Sequence, residues 1–120
     1  MKKQILLLAM TILFQAGLFA QTSIIAHRGA WKNTKVPQNS IASLDHAIKE
    51  GCWGSEFDVY LTKDDILVVN HDRDFEGLEI EDLTYQELLA KKHENGESIP
   101  TVEEYLKRGL QQKGTKLIFD

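Results

Sequence analysis

Short apolar runs alternate with helix-like patterns along this chain, and this order constrains the fold more than any other feature. Strand-like runs begin at Ser23, Trp53 and Lys116, and amphipathic helix patterns lie between them. A strand–helix–strand order favours parallel strands, because the intervening helix carries the chain back to the same end of the sheet. The sequence therefore predicts an α/β domain with parallel strands and with helices outside the sheet.

Helix signals follow the first predicted strand. Asn39 or Ser40 can cap the N-terminus of a helix, and Gly51 is a natural stop, so we predict a helix over residues 40–50. Its apolar residues recur at helical spacing and form a one-sided stripe: Ile41, Leu44, Ala47 and Ile48.

Two capping boxes predict two further helices. The segment from Thr84 to Glu87 opens a helix expected to reach Lys92, and the segment from Thr101 to Glu104 opens one expected to end at Gly114. Residues 72–81 between the strand and helix patterns are polar and are predicted to form a loop. The apolar side of the last helix is predicted to contain Val102, Tyr105, Leu106 and Leu110.

Two carboxylates occupy alternate positions in the second strand, predicted from Trp53 to Leu61. Glu56 and Asp58 should face the same way, because side chains alternate along a strand with a period of two. One interpretation is a solvated acidic face on a half-exposed strand. The other is a functional site, favoured because two apolar runs each end in a histidine beside a charge: His27-Arg28 and His71-Asp72, the latter on a hairpin-like return.

The first residues are typical of a secretory signal. Lys2 and Lys3 precede a mostly apolar stretch over residues 5–20, and a polar exit follows. The apolar stretch is too short and too interrupted for a comfortable membrane span. We therefore predict a signal peptide over residues 1–20, no stable membrane span, and export to the periplasm or the cell exterior. An uncleaved N-terminal anchor is the alternative.

Composition excludes two classes of protein. The net charge of −4 argues against a nucleic-acid partner, because phosphate backbones are bound by basic surfaces. Cys52 is the single cysteine, so no internal disulfide can staple the fold, and we predict a small buried hydrophobe at this position.

Three further residues have predicted settings. His46 and His93 are predicted to be solvated surface residues, whereas Trp31 either walls a cleft or packs its own loop.

In its ordered motifs the chain resembles the glycerophosphodiester phosphodiesterase family. Any one dipeptide is uninformative, but the ordered set is specific, and the resemblance extends from about Ile24 to the end of the chain. The matching segments are His27-Arg28-Gly29, Pro37-Gln38-Asn39-Ser40, Glu56-Phe57-Asp58-Val59, Thr62-Lys63-Asp64, Val68-Val69, His71-Asp72 and Pro100-Thr101-Val102-Glu103-Glu104.

The resemblance implies the N-terminal part of a (β/α)₈ barrel of the TIM type. A complete barrel needs about 250 residues, so residues 21–120 are expected to be the N-terminal portion of the domain, with the remaining strands missing. In such barrels the active site lies at the C-terminal ends of the strands. This is the end at which the His27-Arg28 pair and the two carboxylates are predicted to lie.

The resemblance also implies an activity, the metal-dependent hydrolysis of glycerophosphodiesters to glycerol 3-phosphate and an alcohol. Glu56, Asp58 and Asp120 are then the ligands of a divalent cation, Ca²⁺ or Mg²⁺, because hard oxygen ligands suit these ions. His27 and His71 are the implied acid/base pair, in an order that the residues leave open.

Three further residues have implied roles. Arg28 would bind the substrate phosphate with its planar donor fork. Asp72 would orient His71 or its loop, with a metal-ligand role as the alternative, and Asn39 would support the site. The chain departs from the family at Asp120 and at Gln38, where glutamate is usual.

Two alternatives stay open. A related phospholipase-D-like lipid phosphodiesterase could share the barrel and the motifs. A non-catalytic relative could use the same residues to hold a phosphate ester or a metal ion, and the two departures from the family pattern favour it weakly.

Overall fold

The computed structural model describes residues 22–120, so the predicted signal peptide over residues 1–20 lies outside the described part of the chain. In that part, no helix is long and apolar enough to cross a bilayer. The elements in chain order are β1 (Ile25–Ala26), α1 (Ile41–Lys49), β2 (Gly54–Phe57), β3 (Val59–Leu61), β4 (Leu67–Val69), β5 (Asp74–Phe75), β6 (Leu78–Glu79), a 3₁₀ turn (Ile80–Asp82), α2 (Tyr85–Leu88), α3 (Val102–Gly109) and β7 (Lys116–Phe119).

A parallel sheet in the order β1-β2-β7 is the frame of the fold. Ile25 pairs with Gly54 on one side of β2, and Glu56 pairs with Ile118 on the other. The predicted parallel α/β arrangement is therefore confirmed. All three strands run in one direction, so their C-terminal ends lie at a single edge of the sheet.

The predicted first helix is confirmed almost to the residue. Ser40 is the N-cap, and its hydroxyl accepts from the Ser43 amide at 3.0 Å while Ser43 Oγ accepts from the Ser40 amide at 3.2 Å. Leu44 and Ala47 are fully buried, and Leu44 packs in one core cluster with Phe57 of β2. The capping box thus fixes where α1 begins, and its apolar stripe fixes which side faces the sheet.

The predicted single strand over residues 53–61 is wrong, because the chain leaves the parallel sheet at Asp58. The Asp58 amide donates to Asn39 Oδ1 at 3.3 Å, and its carbonyl accepts from the Asn70 amide at 3.1 Å. Those bonds take the place of ladder bonds to the parallel strands. The chain then continues as β3, which forms the predicted hairpin with β4 in the register Val59–Val69.

The predicted loop over residues 72–81 is also wrong in part, since β5 and β6 form a second antiparallel hairpin there. Its turn is closed by the Gly77 amide, which donates to Asp74 Oδ2 at 3.0 Å. Phe75 and Ile80 are buried and join a core cluster with Val68 and Leu88. Two apolar residues in a polar stretch therefore hold this segment against the hairpin of β3 and β4.

The last two helices begin at the predicted caps but end early. Helix α2 stops at Leu88 and α3 stops at Gly109, where an added Cβ would lie 2.4 Å from a methyl carbon of Leu117. Tyr105 is buried against Phe57, with ring centroids 4.9 Å apart, and burial raises the pKa of Tyr105 to about 12. Leu110, predicted to belong to the apolar face, is 79% exposed because the helix has already ended.

His93 is buried, which contradicts the prediction of a solvated residue. Only 9% of it is exposed, and its ring packs edge-on against Phe75 with centroids 4.9 Å apart. Its amide donates to the Glu97 carbonyl at 2.8 Å, which closes a tight turn over residues 93–97. Cys52, by contrast, is buried beside Ala26 and Ala47 as predicted.

Gly29→Ala should destabilise the protein strongly. Gly29 has a φ of +79°, and an added Cβ would lie 2.3 Å from Ser43 Oγ and 2.7 Å from the Ser43 carbonyl carbon. Conformational strain and steric overlap together should lower the free energy of unfolding by about 3 kcal/mol. Gly77→Ala is the matched control, because Gly77 has a φ of +83° with open space around it. It should cost only about 1 kcal/mol. Urea unfolding of both variants measures the difference, and equal losses would contradict the contact with Ser43.

His93 should make stability fall as the pH is lowered. Burial lowers the pKa of His93, against the opposing effect of Glu97 and Glu76, so the folded state holds the neutral ring. The unfolded chain binds a proton near its ordinary pKa of about 6.5, and stability is therefore lost as the pH falls below that value. His93→Phe should reduce the difference in free energy of unfolding between about pH 7.5 and about pH 5.5. An unchanged difference would contradict this role.

Candidate active site at the sheet edge

Three carboxylates meet at the C-terminal edge of the parallel sheet. Glu56 is on β2, Asp58 is the residue at which the chain leaves the sheet, and Asp120 follows β7. One oxygen from each lies within 4.8 Å of the other two. The Asp120 amide donates to the Phe57 carbonyl at 3.2 Å, which extends the parallel pairing far enough to bring its side chain to the cluster. The structure thus brings together all three predicted metal ligands.

Glu56 is the buried member of this cluster. It is 8% exposed, and its Oε2 accepts from the Arg28 backbone amide at 2.9 Å. His27 Nε2 lies 3.9 Å from the same oxygen. Glu56 Oε1 is buried and accepts no hydrogen bond from any residue between 22 and 120. A buried carboxylate oxygen without a donor is costly, unless a cation or an ordered water completes its contacts.

Asp58 is held in place by Asn39. Asn39 Nδ2 donates to Asp58 Oδ2 at 2.8 Å, and the Asn39 side chain also accepts from the Asp58 amide. Arg28 Nε lies 3.6 Å from the same carboxylate oxygen. Asn39 is fully buried with a φ of +56°, a conformation that asparagine tolerates better than most residues. Its predicted supporting role therefore has a geometric basis.

Arg28 is the centre of the site's hydrogen bonds. Its backbone has a φ of +61°, and its carbonyl accepts from the Asn39 amide at 3.0 Å and from Ser43 Oγ at 3.2 Å. Its guanidinium Nη1 donates to Gln38 Oε1 at 2.9 Å. Gln38, considered from the sequence only as a departure from the family, is thus the side chain that orients the arginine.

The two predicted histidines differ in setting. The side chain of His27 is 64% exposed at the end of β1. His71 follows β4, so it is carried by a hairpin and not by a strand of the parallel sheet. Its Nδ1 lies 2.7 Å from Asp72 Oδ1. This contact fixes the ring orientation and leaves Nε2 as the nitrogen able to exchange a proton with another molecule.

Sequence reasoning missed one contributor to this region, Ser43, and left the role of another, Trp31, open between a cleft wall and loop packing. Ser43 supports the Arg28 carbonyl, although its spacing marked it only as a helix residue. Trp31 Nε1 donates to the His27 carbonyl at 3.2 Å and fixes the loop beside the site. The Ser43 contact joins residues 15 positions apart, so no local pattern identifies it, whereas the Trp31 contact spans only four positions.

The donor set suits a hard divalent cation. Three carboxylates face one arginine, which leaves an excess of two negative charges from the groups Glu56, Asp58, Asp120 and Arg28. Oxygen-only ligands are those that Ca²⁺ and Mg²⁺ take in proteins. The unpartnered Glu56 Oε1 is the observation that supports this fit, since it is a buried acceptor that points to a missing positive partner.

A sequence model of the glycerophosphoryl diester phosphodiesterase family matches residues 27–119. A glycerophosphodiester phosphodiesterase from Bacillus altitudinis is 42% identical over 73 residues, which are 56% of this chain and 29% of that protein. The chain therefore spans about a third of the length of this relative.

Solved structures resemble the fold. A glycerophosphodiester phosphodiesterase from Parabacteroides distasonis superimposes with a TM-score of 0.76 and 52% identity, over 81% of this chain and 41% of that one. An Oleispira antarctica phosphodiesterase in complex with the product sn-glycerol-3-phosphate gives a TM-score of 0.67 and 29% identity, over 82% and 44%. These relatives are TIM barrels, and the parallel strands described here correspond to part of one. With its ordered motifs, its sheet-edge site and a family match over residues 27–119, the chain belongs to the glycerophosphoryl diester phosphodiesterase family.

Proposed function

We propose that the protein hydrolyses glycerophosphodiesters to glycerol 3-phosphate and an alcohol, with Ca²⁺ or Mg²⁺ as cofactor. The observation that carries this proposal is the cluster of Glu56, Asp58 and Asp120 beside Arg28 and His27 at one sheet edge. The names of the similar proteins support the substrate class, and the Oleispira antarctica enzyme was solved with sn-glycerol-3-phosphate. Family membership and site geometry therefore favour the same chemistry.

Glu56, Asp58 and Asp120 are the residues that would hold the cation. When bound, a divalent ion neutralises charge on phosphoryl oxygens and lowers the barrier to attack at phosphorus. Glu56 would supply its free Oε1, while its Oε2 stays bonded to the Arg28 amide. Asp58 would stay oriented through its bond to Asn39.

Arg28 would bind the phosphate. Gln38 takes one guanidinium N–H without neutralising the charge, because an amide oxygen carries no net charge. The Nε–H is buried and faces Asp58 Oδ2 at 3.6 Å, so it is an ion-pair contact and not a donor to substrate. With Nε toward Asp58 and Nη1 toward Gln38, the guanidinium plane is oriented, and its remaining N–H groups suit a contact to phosphoryl oxygens.

His27 and His71 would move the two protons of hydrolysis. One proton must leave the attacking nucleophile, and one must reach the departing alkoxide. His71 has the more defined setting, because Asp72 Oδ1 lies 2.7 Å from its Nδ1 and orients the ring. His27 is exposed and close to Glu56, so it can reach a substrate in front of the carboxylate cluster.

Residues 1–20 are proposed to direct export, with residues 21–120 contributing to the barrel domain. The basic start, the interrupted apolar stretch and the polar exit carry this proposal. Export would expose the site to extracellular or periplasmic phosphodiesters.

Removal of one metal ligand should abolish cation-dependent stabilisation. Saturating Ca²⁺ or Mg²⁺, at about a hundred times Kd, should raise the Tm of the full-length protein by about 5 °C. Glu56→Gln should lose this rise, because the buried Oε1 no longer carries charge. Glu103→Gln, on the exposed side of α3, is the control and should keep it. Differential scanning fluorimetry with and without EDTA measures both, and a persistent rise in Glu56→Gln would contradict the assignment.

Loss of either histidine should remove activity without unfolding the protein. His27→Ala and His71→Ala should each lower kcat on glycerophosphocholine by about 10²- to 10⁴-fold, the range of general acid–base catalysis. His46→Ala, on α1, is the matched control and should retain activity. A coupled assay for released glycerol 3-phosphate measures the rates.

Three outcomes would redirect the assignment. Activity that survives chelation or His27→Ala would overturn the mechanism. Diester binding without turnover would favour a non-catalytic phosphate-ester-binding relative. A preference for lysophospholipid over its deacylated analogue would favour a phospholipase-D-like enzyme.

A further inference from the structure

Gln38 is the uncharged partner of Arg28. Its Oε1 accepts from the guanidinium Nη1 at 2.9 Å in a partly buried contact. On the other side of the guanidinium, Nε faces Asp58 Oδ2 at 3.6 Å. The arginine thus has one charged neighbour and one neutral neighbour. A glutamate at position 38 would fill the same space and accept the same hydrogen bond, so the identity of this residue decides the charge and not the shape.

The amide nitrogen of Gln38 is left for another molecule. The guanidinium has only donors, so the amide oxygen must face it and Nε2 lies on the other side. This nitrogen makes no hydrogen bond to residues 22–120, and Gln38 lines a cavity of about 670 Å³ together with Asp72. An anion beside Arg28 can therefore accept from both the guanidinium and the amide, whereas a carboxylate at position 38 would offer it no donor.

The charges around this contact make a further carboxylate costly for an anion. Three carboxylates and one guanidinium leave an excess of two negative charges at the sheet edge, which a divalent ion would neutralise. The side chains of Arg28 and Asp58 are only 20% and 17% exposed, so water screens these charges weakly. The cavity wall adds another excess of two negative charges, from two lysines and four carboxylates: Lys32, Lys35, Asp72, Asp74, Glu76 and Glu94.

The product of the proposed reaction is more sensitive to this charge than the substrate is. A phosphodiester carries one negative charge, whereas a phosphomonoester has a second pKa of about 6 and is close to a dianion above it. Coulomb energy is proportional to the charge of the ligand, so a unit charge at position 38 acts about twice as strongly on glycerol 3-phosphate as on the diester.

We propose that Gln38 is a specificity-determining residue that lets this site retain glycerol 3-phosphate, so that the product inhibits the enzyme. This inference rests on the proposed function and deepens it. Gln38 orients the arginine, donates to the bound anion and adds no negative charge to a site that already has an excess of them.

The first test measures binding in Gln38→Glu, which keeps the shape and the acceptor oxygen and adds one negative charge. In calorimetric titrations at about pH 7.5, the full-length variant should bind Ca²⁺ alone at least about threefold more tightly than the wild type. With Ca²⁺ saturating, it should bind glycerol 3-phosphate at least about tenfold more weakly. Opposite changes for the cation and the anion indicate a charge effect, because a distorted site would weaken the binding of both.

Gln111→Glu is the matched control. Gln111 Oε1 accepts from Arg108 Nη1 at 3.4 Å, so this variant adds the same charge beside an arginine outside the site. Its affinities for Ca²⁺ and glycerol 3-phosphate should match those of the wild type. An unchanged affinity for glycerol 3-phosphate in Gln38→Glu, or weaker binding of both ligands there, overturns the proposal.

The second test measures inhibition during turnover. Glycerol 3-phosphate should compete with glycerophosphoglycerol, a diester with one negative charge. Gln38→Glu should raise the inhibition constant at least about threefold more than it raises KM. Equal increases in the two constants, or no competition in the wild type, overturns the proposal.

The same measurements separate this proposal from the proposed function. Opposite changes in Ca²⁺ and glycerol 3-phosphate binding, without hydrolysis of any diester, would support the role of Gln38 in holding the dianion and refute the proposed function. Hydrolysis with an unchanged affinity for glycerol 3-phosphate in Gln38→Glu would do the reverse.

Discussion

The conformation of Arg28 is the constraint on which the rest of this site depends. Its backbone is held in the left-handed region by three bonds, from its amide to Glu56 and from Asn39 and Ser43 to its carbonyl. A strained backbone persists only where its surroundings over-determine it. Here the surroundings are the end of β2 and the first turn of α1, which approach closely because Gly29 has no side chain. One turn of chain therefore links the three clustered carboxylates, the Arg28 side chain and the first helix.

Local signals predicted much of the fold. The three N-caps Ser40, Thr84 and Thr101 all lie where their sequences indicated, because a capping box satisfies backbone groups within four residues. The places where prediction failed depend on distant contacts. The strand break at Asp58 requires Asn39 and Asn70, and the burial of His93 requires Phe75. The spacing and periodicity of the sequence do not reveal contacts between residues that are this far apart in the chain.

The candidate site, like the fold, was predictable only where local sequence signals determine it. Glu56 and Asp58 could be placed together from a period of two, and the family resemblance added the ligands and histidines around them. The resemblance could not reveal the role of Gln38, because that role depends on a contact with Arg28: the neutral amide orients the guanidinium without neutralising it, while Asp58 is the carboxylate that pairs with it. Gln38, which departs from the family pattern, is therefore explained by its contact with Arg28.

The hairpin that carries His71 has a consequence for how such enzymes diverge. The three clustered carboxylates are on or beside the parallel sheet, whereas the cavity lined by Gln38 and Asp72 is walled in part by β5, His93 and Glu94. That wall has its own core cluster around Phe75 and Ile80. Substitutions there alter the shape and charge of the cavity without disturbing a parallel strand. The architecture places the carboxylate cluster and the cavity wall on separate elements, so selection can act on the two independently.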